Sequence, residues 1–357
     1  MRRLMQNTIL ALALAVLALY SCKSKTSDTK EQKTIIVDVP TIPDRKMPVG
    51  EIIPQLVVSY DKSQSFAVYL PKQYTKDTAL PVIIFFDPHG DGTVPLNLYT
   101  GLAEDFGFIL IGSNNSKNGI DLQQAKAIAD NLVNEAESRF NVNKKKITLC
   151  GFSGGAKVAL AAAVANPAVS TVIYCGAALP VQPHHDLEFL GFAGTGDMNY
   201  TDVVSFNEGF KNSQHLHYLV EWKGKHEFPS AEIFKDAFTF IQKGSIDNYS
   251  SKQAGITSQD VAKEQARKQE LLQAFTTQDI NWWKKEIATL NAGKKGNAMN
   301  ERLLGFISLA CYSYANGMLQ QNNLAGAQQI LTIYSLADPG NKDCEAFTAE
   351  LKKRKGM

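Results

Sequence analysis

Neither sign of charge is in excess in this sequence: 37 lysines and arginines stand against 35 aspartates and glutamates, a net charge of +2. A chain so balanced offers no basic stripe to a phosphate backbone, so nucleic acid is not an expected partner. Cysteine is scarce, with five in 357 residues, and none of the spacings fits a zinc site. Long apolar runs are short in supply as well. The run from Ile9 to Leu19 falls below the length that crosses a bilayer comfortably. No motif asks for a metal or an organic cofactor. What remains is ordinary globular composition, 44% hydrophobic and 20% charged, in a chain with room for two or three domains.

The short apolar run follows Arg2 and Arg3, the arrangement of a targeting segment. It ends in Leu19-Tyr20-Ser21-Cys22, which resembles the lipobox of bacterial lipoproteins. The resemblance implies cleavage before Cys22 and lipidation of that cysteine. Residues 1–22 are then a signal peptide, and acyl chains hold the mature protein on a membrane surface of the bacterial cell envelope, periplasmic or outer-membrane. A plain secretory signal with a chance cysteine at the cut is the alternative. The polar stretch Lys23 to Lys33 and the Pro-containing segment after it form an expected flexible tether over 23–54. Cys150 and Cys175 fall in apolar strand-like runs and are expected to be buried. Cys311 and Cys344 lie near the C-terminus, where an exported protein has the option of a disulfide, but sequence supplies no distance between them.

The chain is organised around residues 147–165. The apolar segment Ile147-Thr148-Leu149-Cys150 meets Gly151-Phe152-Ser153-Gly154-Gly155, and an Ala-rich run follows at once. This is the strand–turn–helix setting in which Gly-x-Ser-x-Gly makes a nucleophile elbow. Near-absent side chains permit a backbone strained enough to lift a serine hydroxyl clear. The next helix presents its free N–H groups and positive end to an anion forming there. An ordinary tight turn between a strand and a helix is the plainer reading of the same residues.

Around this motif the pattern alternates. Leu56 to Tyr60 and Ser65 to Leu70 read as a hairpin, and Val82 to Phe86 as a strand buried on both faces. Further strands are expected at 108–112, at the elbow, and at 171–175, 189–193 and 217–222. Helices are expected at 96–106, 122–140, 203–210 and 231–242. Strands and helices in this alternation give a mostly parallel sheet covered on both sides. Residues 244–258 read as a linker, and 259–357 as a helical domain with spans near 259–275, 279–290, 301–321 and 324–336. Ala315, Ala327 and Pro339 give part of this region a resemblance to a degenerate tetratricopeptide repeat. Trp282-Trp283 reads as helix packing, and the terminal Lys352-Lys353-Arg354-Lys355 as a solvated tail.

Eight strands, the first pair a hairpin and the fifth entering the elbow, resemble the α/β-hydrolase fold over about residues 55–243. The resemblance implies a chain order of Ser, then Asp or Glu after the seventh strand, then His after the eighth. Position by position, Ser153 matches the nucleophile. Asp197, in Gly194-Thr195-Gly196-Asp197, matches the acid, with Asp202 as its competitor on the same loop. His226, in Lys225-His226-Glu227, matches the base. An oxyanion hole needs two donors: Gly154 would supply one, and the His89-Gly90 pair resembles the loop that supplies the other. Asp87 and Pro88 precede that pair where many relatives carry apolar residues; Pro88 has no N–H, so the donor stays open among His89, Gly90 and a neighbour. His184-His185-Asp186 reads as a polar loop at the pocket rim in preference to a metal site.

These resemblances imply a secreted, membrane-tethered serine esterase of the 3.1.1 class, cleaving a small-molecule or polymer-linked ester. Phe66 to Pro71 resembles the corresponding hairpin of feruloyl-esterase and polyhydroxybutyrate-depolymerase-like proteins. The short stretch Leu179 to Glu188 leaves little room for a lid, so the site is expected to be open. A peptidase of the prolyl-oligopeptidase type shares fold and triad, although nothing in the chain resembles its propeller. A scaffolding lipoprotein, recruiting a protein partner through the helical domain over an inactive hydrolase domain, is the reading from another class.

Overall fold

A computed structural model of the chain describes residues 47–252 and 255–356. The expected signal peptide, Cys22 and most of the tether lie outside the described residues. Eight strands form one sheet in the order β1-β2-β4-β3-β5-β6-β7-β8. They are β1 (Ile52–Val57), β2 (Ser65–Tyr69), β3 (Leu80–Phe86), β4 (Ile109–Ser113), β5 (Val142–Phe152), β6 (Thr171–Cys175), β7 (Glu188–Gly194) and β8 (His217–Trp222). β2 pairs antiparallel with β1 and with β4, and every later pairing is parallel. This is the mostly parallel α/β-hydrolase sheet. Its order reverses beside β3 and β5, so the loops after those two strands meet at one point of the sheet's C-terminal edge, where open α/β sheets place their sites.

Helices α1 (Thr93–Phe106), α2 (Leu122–Arg139), α3 (Gly154–Ala163), α4 (Tyr200–Glu208) and α5 (Ala231–Lys243) cover the sheet. The unbroken apolar run of β3 is explained by its two faces. Val82, Ile84 and Phe86 enter the core under α2, α3 and α4, whereas Ile83 and Phe85 enter the core under α1 and α5. Successive side chains alternate across the sheet, so a strand covered twice needs apolar residues at every position.

Two element boundaries depart from expectation for reasons visible in the chain. The first strand lies at 52–57, earlier than expected, and its register slips between Ile53 and Leu56. Pro54 falls in that slip. A proline has no ladder N–H and is tolerated at a bulge on an edge strand, which β1 is. Helix α1 starts before Leu96 because Pro95 stands in its first turn, where a missing N–H costs nothing.

After a short 3₁₀ turn at Tyr249–Lys252, five more helices follow: α6 (Ser258–Thr277), α7 (Ile280–Gly293), α8 (Ala298–Gln320), α9 (Leu324–Ala337) and α10 (Lys342–Lys355). They build a separate core around fully buried Trp283, with Leu271, Leu303, Ile307 and Tyr334. The four basic residues of the expected solvated tail are exposed, as expected, and they form the last turn of α10. Leu351 there is buried, and Arg354 Nη1 donates to the Leu319 carbonyl of α8. A basic terminal turn suits the negative end of the helix. Cys150, Cys175, Cys311 and Cys344 are all buried and free, so the optional 311–344 disulfide is not formed.

Candidate active site

Strand β5 ends at Phe152, and α3 begins two residues later, at Gly154. Ser153 between them holds φ 53° and ψ −119°, a conformation few side-chain-bearing residues adopt. Two glycines make the turn sterically feasible. A Cβ on Gly151 would lie 2.1 Å from the Gly155 carbonyl oxygen, and one on Gly155 would lie 1.9 Å from that of Phe86. The helix therefore seats directly against β3 and β5, and Ser153 N–H donates to the Cys175 carbonyl at 2.9 Å.

His226 stands in the loop after β8, with its side chain 23% exposed. Its Nε2 lies 2.9 Å from Ser153 Oγ. Its Nδ1 lies 3.0 and 2.9 Å from the two carboxylate oxygens of Asp197. Asp197 is fully buried, and its Oδ1 also accepts from the Asn199 amide at 2.8 Å. One imidazole thus bridges a hydroxyl and a buried carboxylate, the linear arrangement that lets a ring nitrogen take a hydroxyl proton while the carboxylate fixes the tautomer. Asp202 sits exposed in the first turn of α4, and the His226 ring is directed to Asp197 instead.

The two loops that carry these side chains are tied together. Thr195 N–H donates to the Trp222 carbonyl and Gly196 N–H to that of Gly224, both at 2.8 Å. Beneath the imidazole lies the Phe152 ring, 4.7 Å between centroids, with Phe228 a further 4.9 Å from Phe152. Tyr99 of α1 donates its hydroxyl to the Pro229 carbonyl at 2.7 Å. The histidine loop is therefore pinned at both ends. Gly176, at φ +62°, passes so close that a Cβ there would lie 2.8 Å from Asp197 Oδ2.

Of the expected oxyanion donors, the structure leaves one free. Gly154 opens α3, so its N–H has no intrahelical acceptor. The His89 amide instead donates to Asp87 Oδ2 at 2.7 Å, and the Gly90 amide to the Asp87 carbonyl at 3.1 Å. Both are used to shape their own loop: the buried Asp87 carboxylate takes the His89 amide as a donor, and a backbone turn takes that of Gly90. The residue that sequence reasoning missed is Asn118. Its backbone N–H donates to the Pro88 carbonyl at 2.8 Å, and His89 bridges to Lys117 beside it. A Cβ on Gly154 would lie 1.8 Å from Asn118 Oδ1, which puts that carboxamide within about 4 Å of the Gly154 amide nitrogen. Half a turn of the terminal torsion exchanges its oxygen and its NH₂ in nearly the same shape.

The chain is similar, at low identity, to several solved structures. An esterase from the hyperthermophilic archaeon Pyrobaculum calidifontis is 12% identical and superposes with a TM-score of 0.45, covering 56% of this chain and 88% of its own. A thermophilic carboxylesterase cloned from a metagenomic library is 14% identical at a TM-score of 0.44, over 56% of this chain and 91% of its own. The feruloyl esterase module of Clostridium thermocellum, solved with sinapinate, is 14% identical at 0.43, over 56% and 90%. No protein-family profile matches the chain, and no curated protein matches it.

His184-His185-Asp186 lies elsewhere than expected. His185 Nε2 is 3.3 Å from the Val169 carbonyl, just ahead of β6, and Asp186 lines a groove with Ser170, Thr171 and His215. That groove is at the N-terminal edge of the sheet, the far end from Ser153, because the chain must return across the molecule before entering β7. Among the described residues no cluster of three His, Cys, Asp or Glu side chains is arranged to hold a metal ion.

Proposed function

We propose that the chain is an exported, membrane-tethered serine hydrolase of carboxylic esters, with Ser153 as nucleophile, His226 as general base and acid, and Asp197 as orienting carboxylate. The observation that carries this reading is the single imidazole hydrogen-bonded to Ser153 Oγ on one side and to Asp197 on the other. Ser153 Oγ attacks the ester carbonyl carbon while His226 Nε2 takes the hydroxyl proton. The negative oxygen of the tetrahedral adduct is met by the Gly154 N–H and by the Asn118 carboxamide NH₂, rather than by the His89 and Gly90 amides. His226 returns its proton to the departing alkoxide, leaving an acyl-serine. Water, deprotonated by the same imidazole, then releases the acid and restores the hydroxyl.

The substrate class follows from the approach to the site. Between β6 and β7, residues 176–187 contain no helix, so no inserted lid stands at the position where interfacial lipases often carry one. This supports soluble or polymer-linked esters as substrates. Anchorage in the bacterial envelope through lipidated Cys22, and a protein partner for the helical domain, belong to the same proposal. The test is hydrolysis of p-nitrophenyl acetate together with labelling by a fluorophosphonate probe. The wild-type protein is expected to turn over and to be labelled at Ser153, and Ser153→Ala to lose both. Turnover at the full rate in Ser153→Ala overturns the reading.

A further inference from the structure

Away from the serine, three charged side chains are buried together. Glu264 and Lys268 lie one turn apart on α6, and Arg302 lies on α8; their exposures are 0%, 5% and 6%. Arg302 Nε donates to Glu264 at 2.9 Å and Nη2 at 2.6 Å, and Lys268 Nζ lies 3.7 Å from the same carboxylate. Buried ions on this scale are costly unless their remaining hydrogen bonds are all satisfied. Here the remaining donors leave the helical region and end on one loop. Arg302 Nη1 donates to the Thr195 carbonyl at 2.7 Å. Lys268 Nζ donates to the Met198 carbonyl at 2.7 Å and to Thr201 Oγ1 at 3.0 Å.

Thr195 and Met198 bracket Asp197. The same helices meet this loop at further points. The Arg302 guanidinium lies over the Tyr200 ring, 4.8 Å from its centroid. A Cβ on Gly305 of α8 would lie 3.3 Å from Met198 Cβ. Glu301, beside Arg302, pairs with Lys225 at 3.2 Å, one residue before His226. Asp197 is thus held from the sheet side by its own turn, whose Asp197 N–H donates to the Gly194 carbonyl. From the other side it is held by two cations of α6 and α8 that Glu264 fixes in place.

We propose that the C-terminal helices are a positioning element for the Ser153–His226–Asp197 site: Lys268 and Arg302, locked by Glu264, grip the carbonyls on either side of Asp197 and hold its carboxylate at hydrogen-bond distance from His226. Neither cation touches the reacting atoms. Their effect is geometric, because a carboxylate that drifts by about 1 Å leaves the range in which it bonds Nδ1 and ceases to fix the ring. The kinetic consequence rests on the serine-hydrolase reading above; the structural one does not.

The experiment uses the full-length protein with Glu264→Gln, Lys268→Met and Arg302→Met combined, which removes both grips without leaving an unpaired buried carboxylate. For p-nitrophenyl acetate, kcat is expected to fall about 10- to 100-fold with KM little changed. In an Asp197→Ala background the same three changes are expected to cost nothing more, since the residue they act through is gone. Amide hydrogen exchange over 195–201 is expected to accelerate while β5 and β6 stay protected. Should the triple variant not fold, Lys268→Met alone keeps the Arg302–Glu264 pair closed and is expected to show the same exchange signature with a smaller kcat loss. Unchanged exchange over 195–201 overturns the proposal, as does full kcat in the triple variant, or a full further loss on top of Asp197→Ala. If the parent protein shows no Ser153-dependent turnover, the hydrolase reading fails, and the exchange measurement still decides whether the helices hold the turn.

Discussion

Asp197 and Asp202 share one passage from loop to helix, and burial separates their chemistry. Asp197 is buried against the imidazole; Asp202 stands in solvent on the first turn of α4, where a carboxylate suits the helix N-terminus. Asp197→Asn is therefore expected to lower kcat by about 10³- to 10⁴-fold, because an amide presents the wrong partner to Nδ1–H. Asp202→Asn should remain within about twofold of wild type, and steady-state kinetics on the two variants side by side checks both. Asn118 makes a subtler claim. If its NH₂ meets the oxyanion, Asn118→Ala lowers kcat by about 10²-fold with little change in KM. A change in KM alone would assign it to substrate binding instead. Nothing in Ser116-Lys117-Asn118-Gly119 announces this position. An asparagine before a glycine reads as turn chemistry, and only the bond from its amide to Pro88 brings its side chain to Gly154.

At the scale of elements, the elbow was legible because strand, turn and helix are consecutive and each glycine has a local steric reason. The acid and histidine loops were legible from the chain order that the resemblance implies, given strands that alternate with helices. Loop interiors were less so. The His89 amide is taken by the Asp87 carboxylate and the Gly90 amide by the Asp87 carbonyl, and both bonds depend on the fold of that loop. Among the C-terminal helices, Trp283 is fully buried and its indole Nε1 has no hydrogen-bond partner. Trp283→Ala is expected to destabilise the helical core by about 3–5 kcal/mol. Trp283→Phe should cost clearly less, because it removes an unsatisfied N–H together with the lost volume. Urea denaturation of the two variants gives the comparison.

For the whole molecule, the N-terminal segment carries a prediction of its own. If Cys22 carries acyl chains, the protein partitions with the detergent phase and with membranes, and Cys22→Ser moves it to the aqueous phase; unchanged partitioning would separate anchorage from that cysteine. The amino-acid sequence by itself determined the layered architecture and the elbow, because periodicity and small residues at a turn act over short distances; the acid and the histidine followed only from the chain order that the resemblance implies. It did not decide what Glu264, Lys268 and Arg302 do. On helices of mixed polarity such residues read as a solvated face, and here they are buried on the loop that carries Asp197. Which face of one helix meets which loop of another unit is set by shape and by the need to satisfy every buried donor, and those conditions exist only once the chain has folded.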